Sequence, residues 1–496
     1  MTDFKVPEVQ HPLPGEKKKF FWFAFAIGVL LTVLALPLEG ISVSAHRALA
    51  IAAFAVVVWV SECISYSLSA FAICSLITFL LGYAPDPDAP TKLLGLSGAF
   101  RLAFAGWVEE MVWFMMGGLI IALAMNVTGL DRRIAIYIVS RFKTTKGVLV
   151  GTIIAMNILA FFMPPVVART AAMVPIVVGI IAVFGQPLNS QFAAYLGVGM
   201  ATMGNTSAFG LLSGGGMNPL VASFVEKATG ISISWVQWFY WFYPYTIVMS
   251  IVLYYILNWK FKPEVSEVPG GQSAIQKMYT ELGAWTPAQK RLLILAAGTI
   301  FCWASNGLLF SSNLTAITLV AITLFMMPGI GVLDWATVEK RLPWGTLLLF
   351  ATGIALGMIL LKTKAAIWLA NAIFGALGLH TMGVLMATLV FAIIGVVLHF
   401  GFSSSTALCA TYIPVAIAYI QANNRVDLSL VGIPLIILIA TGLTIMVVNT
   451  PNTMIAFGSK TFTSRQFFEV GLVNAVLSLA MIVVFAATYW HWVGII

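Results

Sequence analysis

Apolar runs long enough to cross a lipid bilayer recur along the whole chain. Examples are residues 20–38, 291–310 and 470–490, which read FFWFAFAIGVLLTVLALPL, RLLILAAGTIFCWASNGLLF and VGLVNAVLSLAMIVVFAATYW. A helix needs about 20 predominantly apolar residues to span a hydrocarbon core of roughly 30 Å. Only 9% of the residues are charged, whereas a soluble domain carries about 25%. Because a backbone in lipid must satisfy its own hydrogen bonds, the sequence predicts an all-α polytopic membrane protein embedded in the bilayer.

Basic residues are concentrated in four short segments between the apolar runs. An excess of Lys and Arg marks the cytoplasmic loops of membrane proteins. If all four segments lie inside the cell, then four, two and two spans separate successive segments. Because each of these numbers is even, the chain returns to the cytoplasmic side at every basic segment. We therefore expect a multi-pass protein of the inner cell membrane with a cytoplasmic N-terminus. Because the basic residues lie in these loops, the net charge of +8 is explained by membrane topology, and no nucleic-acid partner is expected. The segments are Lys17–Lys19; Arg132, Arg133, Arg141, Lys143 and Lys146; Lys260, Lys262, Lys277, Lys290 and Arg291; and Lys340 and Arg341.

The apolar part of the chain shows a weak internal repeat. Ser404 follows Pro165 by 239 residues (404 − 165), and Pro414 follows Pro175 by the same number. The first unit starts on an outer loop and the second on an inner loop, which predicts an inverted repeat of the kind found in secondary transporters. The predicted organisation is a cytoplasmic tail at 1–19, a first transmembrane helix and outer loop at 20–45, repeats at 46–258 and 289–496, and a cytoplasmic linker at 259–288 with a short helix near 274–282.

Each unit also contains interrupted apolar segments. FFMPPVVARTAAMVP, residues 161–175, places two prolines and an arginine inside an apolar run, and FSSSTALCATYIP takes the corresponding place in the second unit. Because each flanking segment is too short for a comfortable span, we expect two re-entrant hairpins, the first returning near Ala168. GLLSGGGMNP and VNTPNT predict two broken helices, because irregular backbone at membrane depth is tolerated where it lines a cavity. The expected total is about eleven transmembrane helices.

These segments resemble the divalent anion–sodium symporter family, the INDY-type carboxylate transporters, over about residues 45–490. The resemblance rests on WVSECISYSLSAFAICSLITFLLG, on FMMGGLIIALAMNVTGLDRRIA, and on the loops Ser213–Pro219 and Thr450–Ser459. It implies a homodimer that moves its transport part like an elevator against a scaffold. It also implies a small organic anion as substrate, namely a di- or tricarboxylate.

The sequence departs from the family pattern at the hairpin tips, where a Ser-Asn-Thr triplet is expected. The first tip reads Pro165-Val166-Val167 and the second Ser404-Ser405-Thr406. The Ala168-Arg169 pair that follows the first tip resembles the corresponding pair of the family's sodium-independent exchanger branch. Exchange is therefore favoured over sodium symport, no cofactor is expected, and sodium coupling is in doubt. The alternatives are a sodium-coupled carboxylate symporter or a carrier of another anion, such as a sulfonate or sulfate.

Eleven residues at these interruptions are candidates for substrate binding. Arg169 is costly in a membrane, by about 2.5–3.5 kcal/mol at a helix centre, so we expect it to balance the substrate's charge or to pair with a buried carboxylate or with tip carbonyls. The hydroxyls of the second tip can bind a carboxylate at a helix N-terminus or cap that helix. Asparagines at the broken helices can bind substrate or satisfy freed backbone groups. The candidates are Arg169, Thr170, Ser213, Gly214, Asn218, Ser404, Ser405, Thr406, Thr450, Pro451 and Asn452.

Other function classes are less favoured by the sequence. It contains no HExxH motif, no paired membrane aspartates and no GxxxxGK[ST] loop, so an intramembrane enzyme or an ATP-driven pump is not expected. An anion channel remains open. Two further polar residues in apolar segments are better explained by structural roles. We expect Glu62 to be an interfacial or salt-bridged acid rather than a coupling residue, and His399 to be a packed histidine rather than a proton relay. No metal site is expected.

Overall fold

The computed structural model describes residues 15–267, 272–375, 377–425 and 427–496, and their regular secondary structure is almost entirely helical. The helices of the first half are α1 Glu16–Ala35, α2 Val43–Ser61, α3 Tyr66–Leu76, α4 Gly95–Ala103, α5 Glu110–Thr128, α6 Leu130–Val139, α7 Thr145–Phe162, α8 Val166–Val183, α9 Gln191–Phe209, α10 Met217–Thr229 and α11 Trp235–Lys260. A π-helical turn, Ile77–Leu81, continues α3, and a 3₁₀ turn, Ala105–Val108, precedes α5.

The helices of the second half are α12 Gln272–Thr280, α13 Pro287–Ser305, α14 Leu314–Met326, α15 Trp335–Arg341, α16 Trp344–Lys362, α17 Ala365–Phe374, α18 Val384–Leu398, α19 Ser405–Ala422, α20 Gly432–Thr441, α21 Pro451–Gly458, α22 Ser464–Ala487 and α23 Tyr489–Trp492. Two 3₁₀ turns lie at Leu379–Thr381 and Val447–Asn449. The strands β1 Pro85–Asp86 and β2 Ala89–Leu93 form a small antiparallel hairpin before α4.

Nine of the described helices are long and apolar enough to cross a membrane: α1, α2, α5, α7, α8, α11, α16, α19 and the stretch Ser464–Trp492. Three of these, α7, α8 and α19, are arms of the hairpins that the sequence predicted. If the hairpin arms do not cross, we expect the crossings among the described elements to be α1, α2, α3, α5, α9 with α10, α11, α13, α14, α16, α20 with α21, and α22. This set agrees with the expectation of about eleven.

Local sequence sets where several long helices begin. Ser234, Thr286 and Thr463 each accept a hydrogen bond from the backbone N–H three residues later, and the glutamine at that position accepts one in return. This reciprocal arrangement is the capping box, which satisfies two of the N–H groups left free at a helix N-terminus. It fixes the starting points of α11, α13 and α22 as they leave polar loops.

The two repeats are interlocked around their broken helices. The returning arm of the first hairpin, α8, packs against α21 of the second repeat, and the returning arm α19 packs against α10 of the first. The outgoing arms α7 and α18 pack against α9 and α20 of their own repeats. Both hairpins and both broken helices therefore form one packed unit, as an inverted-repeat fold requires.

The segment between the repeats is docked on the first one. Arg133 of α6 is buried and donates to the carbonyls of Leu282, Gly283 and Ala284 at 2.8, 3.0 and 3.2 Å. The short linker helix predicted near 274–282 is α12, and residues 268–271 of the linker lie outside the described residues.

Some boundaries differ from the prediction by a few residues. The helix α1 begins at Glu16, inside the predicted tail, because lysine is a good helix former and Lys17–Lys19 continue the first turn. The rest of that tail, residues 1–14, lies outside the described part of the chain. The first hairpin returns at Val166 rather than near Ala168, since the carbonyl of Pro165 already accepts from the N–H of Arg169.

Candidate functional site

The first hairpin turns at three residues, Met163, Pro164 and Pro165, between α7 and α8. A proline has no N–H and fixes its φ, so it ends the outgoing arm and is suited to the start of the next helix. Pro165 lies at the N-cap of α8, with φ −67° and ψ 114°. The apolar run breaks at this point because the tip is a short irregular backbone, and the carbonyl of Met163 in this tip accepts a hydrogen bond from the buried Arg169.

Arg169 lies in the first turn of α8, and its side chain is completely buried. Its guanidinium donates to three backbone carbonyls, those of Met163 at 2.6 Å, Gly204 at 2.9 Å and Gly214 at 3.2 Å. The three belong to the hairpin tip, to α9 and to the loop where α9 breaks. The sequence left open a pairing with tip carbonyls, and the structure shows that pairing. A role for Arg169 in binding substrate stays a prediction.

The second hairpin tip presents hydroxyl groups at the N-terminus of α19. Ser404 caps the helix, its Oγ accepting from the N–H of Ala407 at 3.3 Å. The Ser405 Oγ lies 3.4 Å from His399 Nε2. A Cβ placed on Gly216 would lie 3.5 Å from the Thr406 Oγ1. This tip therefore meets the broken helix of the first repeat.

His399 sits at the end of α18 as a buried, packed histidine. Its Nδ1 lies 2.9 Å from the carbonyl of Leu443, and its Nε2 lies 3.3 Å from that of Asn449. Leu443 follows Gly204, whose carbonyl binds Arg169, by 239 residues (443 − 204), the repeat offset. The two repeats thus place a nitrogen-rich side chain against the same backbone position of their broken helices.

The predicted residues of the first broken helix mainly stabilise its unwound backbone. The Asn218 amide donates to the carbonyls of Ala208 at 2.7 Å and Leu211 at 2.6 Å, which are left free where α9 ends. The Ser213 Oγ accepts from Trp235 Nε1 at 3.1 Å. Gly214 supplies its carbonyl to Arg169, and a side chain there would clash, because its Cβ would come within 2.5 Å of a backbone oxygen.

The corresponding residues of the second broken helix are held differently. Pro451 starts α21, and the Thr450 Oγ1 lies 3.1 Å from the Thr453 Oγ1. Asn452 is 2% exposed, and its Nδ2 finds no hydrogen-bond partner in the described part of the chain. Asn449 instead stabilises this loop: its Oδ1 accepts from two backbone N–H groups, and its Nδ2 donates to the His399 carbonyl at 2.7 Å.

Two unpartnered donors meet at Gly204. A Cβ on this glycine would lie 2.9 Å from the Thr170 Oγ1 and 3.1 Å from the Asn452 Nδ2, with Val166 Cγ1 at 3.3 Å. Neither polar atom has a partner among the residues described, although buried polar groups are nearly always hydrogen-bonded. Because Gly204 has no side chain, Thr170 and Asn452 can approach its backbone closely where α8, α9 and α21 meet.

Sequence reasoning placed the eleven candidates at one centre, and the structure brings Thr170 to Asn452 and Thr406 to the loop of Ser213–Pro219. It missed the role of Asn449, which lies inside the segment VNTPNT next to the candidate Thr450 and could have been noticed as a polar residue in an apolar segment. It also missed the contact of Glu62 with Ser403, whose Oγ donates to the Glu62 carboxylate at 2.8 Å.

Glu62 has an unusual backbone for its position. It ends α2 with φ 49°, a left-handed conformation that is rare for residues other than glycine and asparagine. The same carboxylate oxygen accepts from the Tyr66 hydroxyl at 2.8 Å. This acid therefore joins α2 and α3 to the second hairpin tip, and it forms no salt bridge within the described part of the chain.

Several known proteins are similar to this chain over most of its length. A membrane protein of Cupriavidus necator is 38% identical over 490 residues, which cover 98% of this chain and 95% of that protein. The sodium-dependent dicarboxylate transporter SdcS of Staphylococcus saprophyticus is 26% identical, with 92% and 89% of the two chains covered. A citrate/succinate antiporter of Escherichia coli is 26% identical over 405 residues, with 77% and 79% covered.

The fold also resembles a solved transporter structure. The YdaH transporter of Alcanivorax borkumensis superposes with a TM-score of 0.51 at 12% identity, covering 86% of this chain and 99% of that one. The family described as the sodium:sulfate symporter transmembrane region matches residues 17–496. With that match, the inverted repeats and the paired hairpins, the chain belongs to the sodium:sulfate symporter family, the divalent anion–sodium symporters whose motifs its sequence resembles.

Proposed function

We propose that the protein is a secondary transporter that exchanges organic carboxylates across the cytoplasmic membrane, without a requirement for sodium. The observation that carries this proposal is the guanidinium of Arg169 among three backbone carbonyls between the first hairpin and its broken helix. Backbone carbonyls of unwound helices are common ligands for coupling cations in transporters. A positive charge covalently fixed there replaces a cation that would otherwise have to bind and leave with the substrate.

The second hairpin supports an anionic substrate. Helix N-termini favour anions, because their free N–H groups and the helix dipole present positive charge. The N-terminus of α19 adds the hydroxyls of Ser405 and Thr406, which are partly exposed. The names of the two relatives, a dicarboxylate transporter and a citrate/succinate antiporter, make di- and tricarboxylates the first substrates to test.

The interlocked hairpins support an elevator-like motion. Because α8 packs on α21 and α19 packs on α10, both tips would move together with the bound substrate. The Glu62–Ser403 hydrogen bond is one contact that such a motion would have to break. A homodimer is proposed as the static support, with the N-terminus in the cytoplasm beside Lys17–Lys19.

A test is uptake of labelled succinate by proteoliposomes with and without unlabelled succinate inside. Exchange predicts that internal succinate stimulates uptake, and that choline can replace sodium at equal membrane potential. Sodium symport is the second candidate, favoured by the sodium-dependent relative. A saturable sodium requirement would establish symport in place of exchange, and flux without stimulation would indicate a channel.

A further inference from the structure

We infer that the preferred substrate is an amphipathic carboxylate: one carboxylate binds at the Ser404–Thr406 tip, and an uncharged, apolar end packs at the Pro165–Val167 tip. This inference rests on the proposed function and narrows the substrate class of the same site. It follows from an asymmetry between the two hairpin tips, which occupy equivalent positions of a repeat whose two halves face each other.

The two tips are directly comparable because the chain supplies its own reference. Asn205 Nδ2 donates to Thr444 Oγ1 at 3.3 Å across a separation of 239 residues, which is the offset between the tips. A substrate with two identical ends would meet equivalent positions of the two repeats on either side of this contact. If both tips carried the same side chains, a symmetric dicarboxylate would fit the arrangement.

The side chains at the two tips are not the same. Each of Ser404, Ser405 and Thr406 carries a hydroxyl, whereas their counterparts are a proline and two valines. The Val167 side chain is 39% exposed, so an apolar surface is presented where the other tip presents donors. A carboxylate placed there would lose hydration without gaining a hydrogen bond from these side chains, and such desolvation is costly.

Arg169 does not restore a second anion site at the surface of the first tip. Its two Nη atoms donate to the three carbonyls, and the residue is 0% exposed, so its remaining Nε lies within the packed interior. Its fixed charge can offset one negative charge of a bound substrate over a longer distance. Arg169 would have to break its hydrogen bonds to these carbonyls before it could bind a carboxylate bidentately.

The polar atoms that remain free beside the first tip are uncharged donors. The Thr170 Oγ1 and the Asn452 Nδ2 lie around Gly204 next to Val166 and have no partner among the described residues. A hydroxyl or carbonyl oxygen near the middle of a substrate would satisfy them when the hairpin opens. The two halves of the site therefore suit one charged end, a polar middle and an apolar end.

The experiment compares four-carbon ligands that differ at one end, and then lengthens the apolar end. Purified protein is titrated with succinate, butyrate, pentanoate, hexanoate and 4-phenylbutyrate, and the shift in melting temperature gives apparent affinities. The same compounds compete for labelled uptake in proteoliposomes. We expect butyrate to bind at least as tightly as succinate, and each added methylene to increase affinity by up to about fourfold, the value of a fully buried CH₂.

A matched pair of substitutions tests the tip itself. The Val166→Thr/Val167→Thr protein regains hydroxyls of almost unchanged shape, and it should shift the succinate-to-hexanoate affinity ratio at least tenfold toward succinate. Val476→Thr in α22 makes the same chemical change at a valine that is 59% exposed and remote from both tips in sequence, and it should leave the ratio unchanged. If the double variant does not fold, Val167→Thr alone is measured and should shift the ratio in the same direction.

The outcomes separate this inference from the proposed function. Tighter binding of succinate than of butyrate, with no gain from added methylenes, would overturn the amphipathic substrate and leave carboxylate exchange standing. An unchanged ratio in the tip variants would overturn it as well. If no ligand stabilises the protein and none exchanges, the proposed function fails and the inference fails with it.

Discussion

Asn205 and Thr444 are hydrogen-bonded to each other and are separated by 239 residues. The same offset relates Pro165 to Ser404, so each of the two residues contacts its own counterpart in the other repeat. Such a contact is geometrically possible only close to the axis that relates the two halves. Asn205 lies near the end of α9, and Thr444 lies just after α20, so this axis passes through the region where both helices break.

The first prediction concerns this contact. Asn205→Ala, Thr444→Ala and the double variant should show non-additive losses of stability, with a coupling energy of about 0.6 kcal/mol, the average for polar contacts between membrane helices. The measurement is thermal unfolding in detergent. Fully additive effects would mean that the two side chains do not interact in the folded protein.

The second prediction separates two asparagines that the sequence treats as equivalent. Asn218 satisfies two freed carbonyls, so Asn218→Ala should destabilise the protein by about 2–4 kcal/mol, because two buried acceptors lose their donors. Asn452 has an unpartnered Nδ2, so Asn452→Ala should change stability little and weaken substrate binding instead.

Melting temperature and apparent transport affinity must be measured for both variants. Each serves as the control for the other, because the same amide is removed at positions 234 residues apart (452 − 218). Equal losses of stability would show that Asn452 is a structural residue, like Asn218.

The predictability of the fold and of the site differs for physical reasons. Apolar run length, the Pro164-Pro165 break and the constant offset between repeats are local or periodic features, and they were sufficient to predict the hairpins and the broken helices. The partners of Arg169 could not be predicted, because two of its three carbonyls come from α9 and from the loop after it. A backbone carbonyl leaves no trace in the residue type that carries it.

The same limit explains Asn218 and Asn452. Both follow Gly- or Pro-containing breaks, and the residue type allows either backbone satisfaction or ligand binding. The role depends on which carbonyls point at the amide: in the first repeat these are Ala208 and Leu211, whereas in the second Asn449 stabilises the loop. The Glu62–Ser403 contact joins residues 341 positions apart, so no local pattern could reveal it.

The third prediction concerns the second hairpin tip. Ser405→Ala and Thr406→Ala should each weaken carboxylate binding by about 0.5–1.5 kcal/mol, or up to about 3 kcal/mol for a bond to a charged group, without a large change in stability. Ser404→Ala should instead lower stability by about 1 kcal/mol, because Ser404 caps α19. Ser213→Ala is the control, because the Ser213 hydroxyl already accepts from Trp235, and this variant should leave the affinity for carboxylate unchanged. Unchanged affinity in the Ser405 and Thr406 variants would remove both from the site.

The fourth prediction concerns the contact between α2 and the second tip. Glu62→Gln keeps an acceptor oxygen for the Ser403 and Tyr66 hydroxyls, whereas Glu62→Ala removes it. If the contact holds the tip in one transport state, Glu62→Ala should change the exchange rate at least severalfold, and Glu62→Gln should change it less. Ser403→Ala should reproduce much of the effect of Glu62→Ala. Exchange rates equal to that of the wild-type protein in all three variants would show that the hydrogen bond does not control the motion.

The last prediction tests whether the Arg169 guanidinium takes the place of a cation. Arg169→Gln removes the fixed charge and leaves the carbonyls of Met163, Gly204 and Gly214 around a buried space. Carbonyl oxygens are ligands for hard cations, and a ligand that binds only the folded state raises its stability. We expect Arg169→Gln to lower the melting temperature and exchange in choline chloride, and sodium chloride at the same ionic strength to restore part of both. The wild-type protein should melt at the same temperature in the two salts.

Arg169→Lys should keep the charge but lose the fork that reaches three carbonyls. The melting temperature of Arg169→Lys should therefore lie between those of the wild-type protein and Arg169→Gln, and it should respond only weakly to sodium. A variant that is destabilised equally in both salts would show that Arg169 only braces the hairpin, and a variant that exchanges normally in choline would show that transport does not depend on its charge.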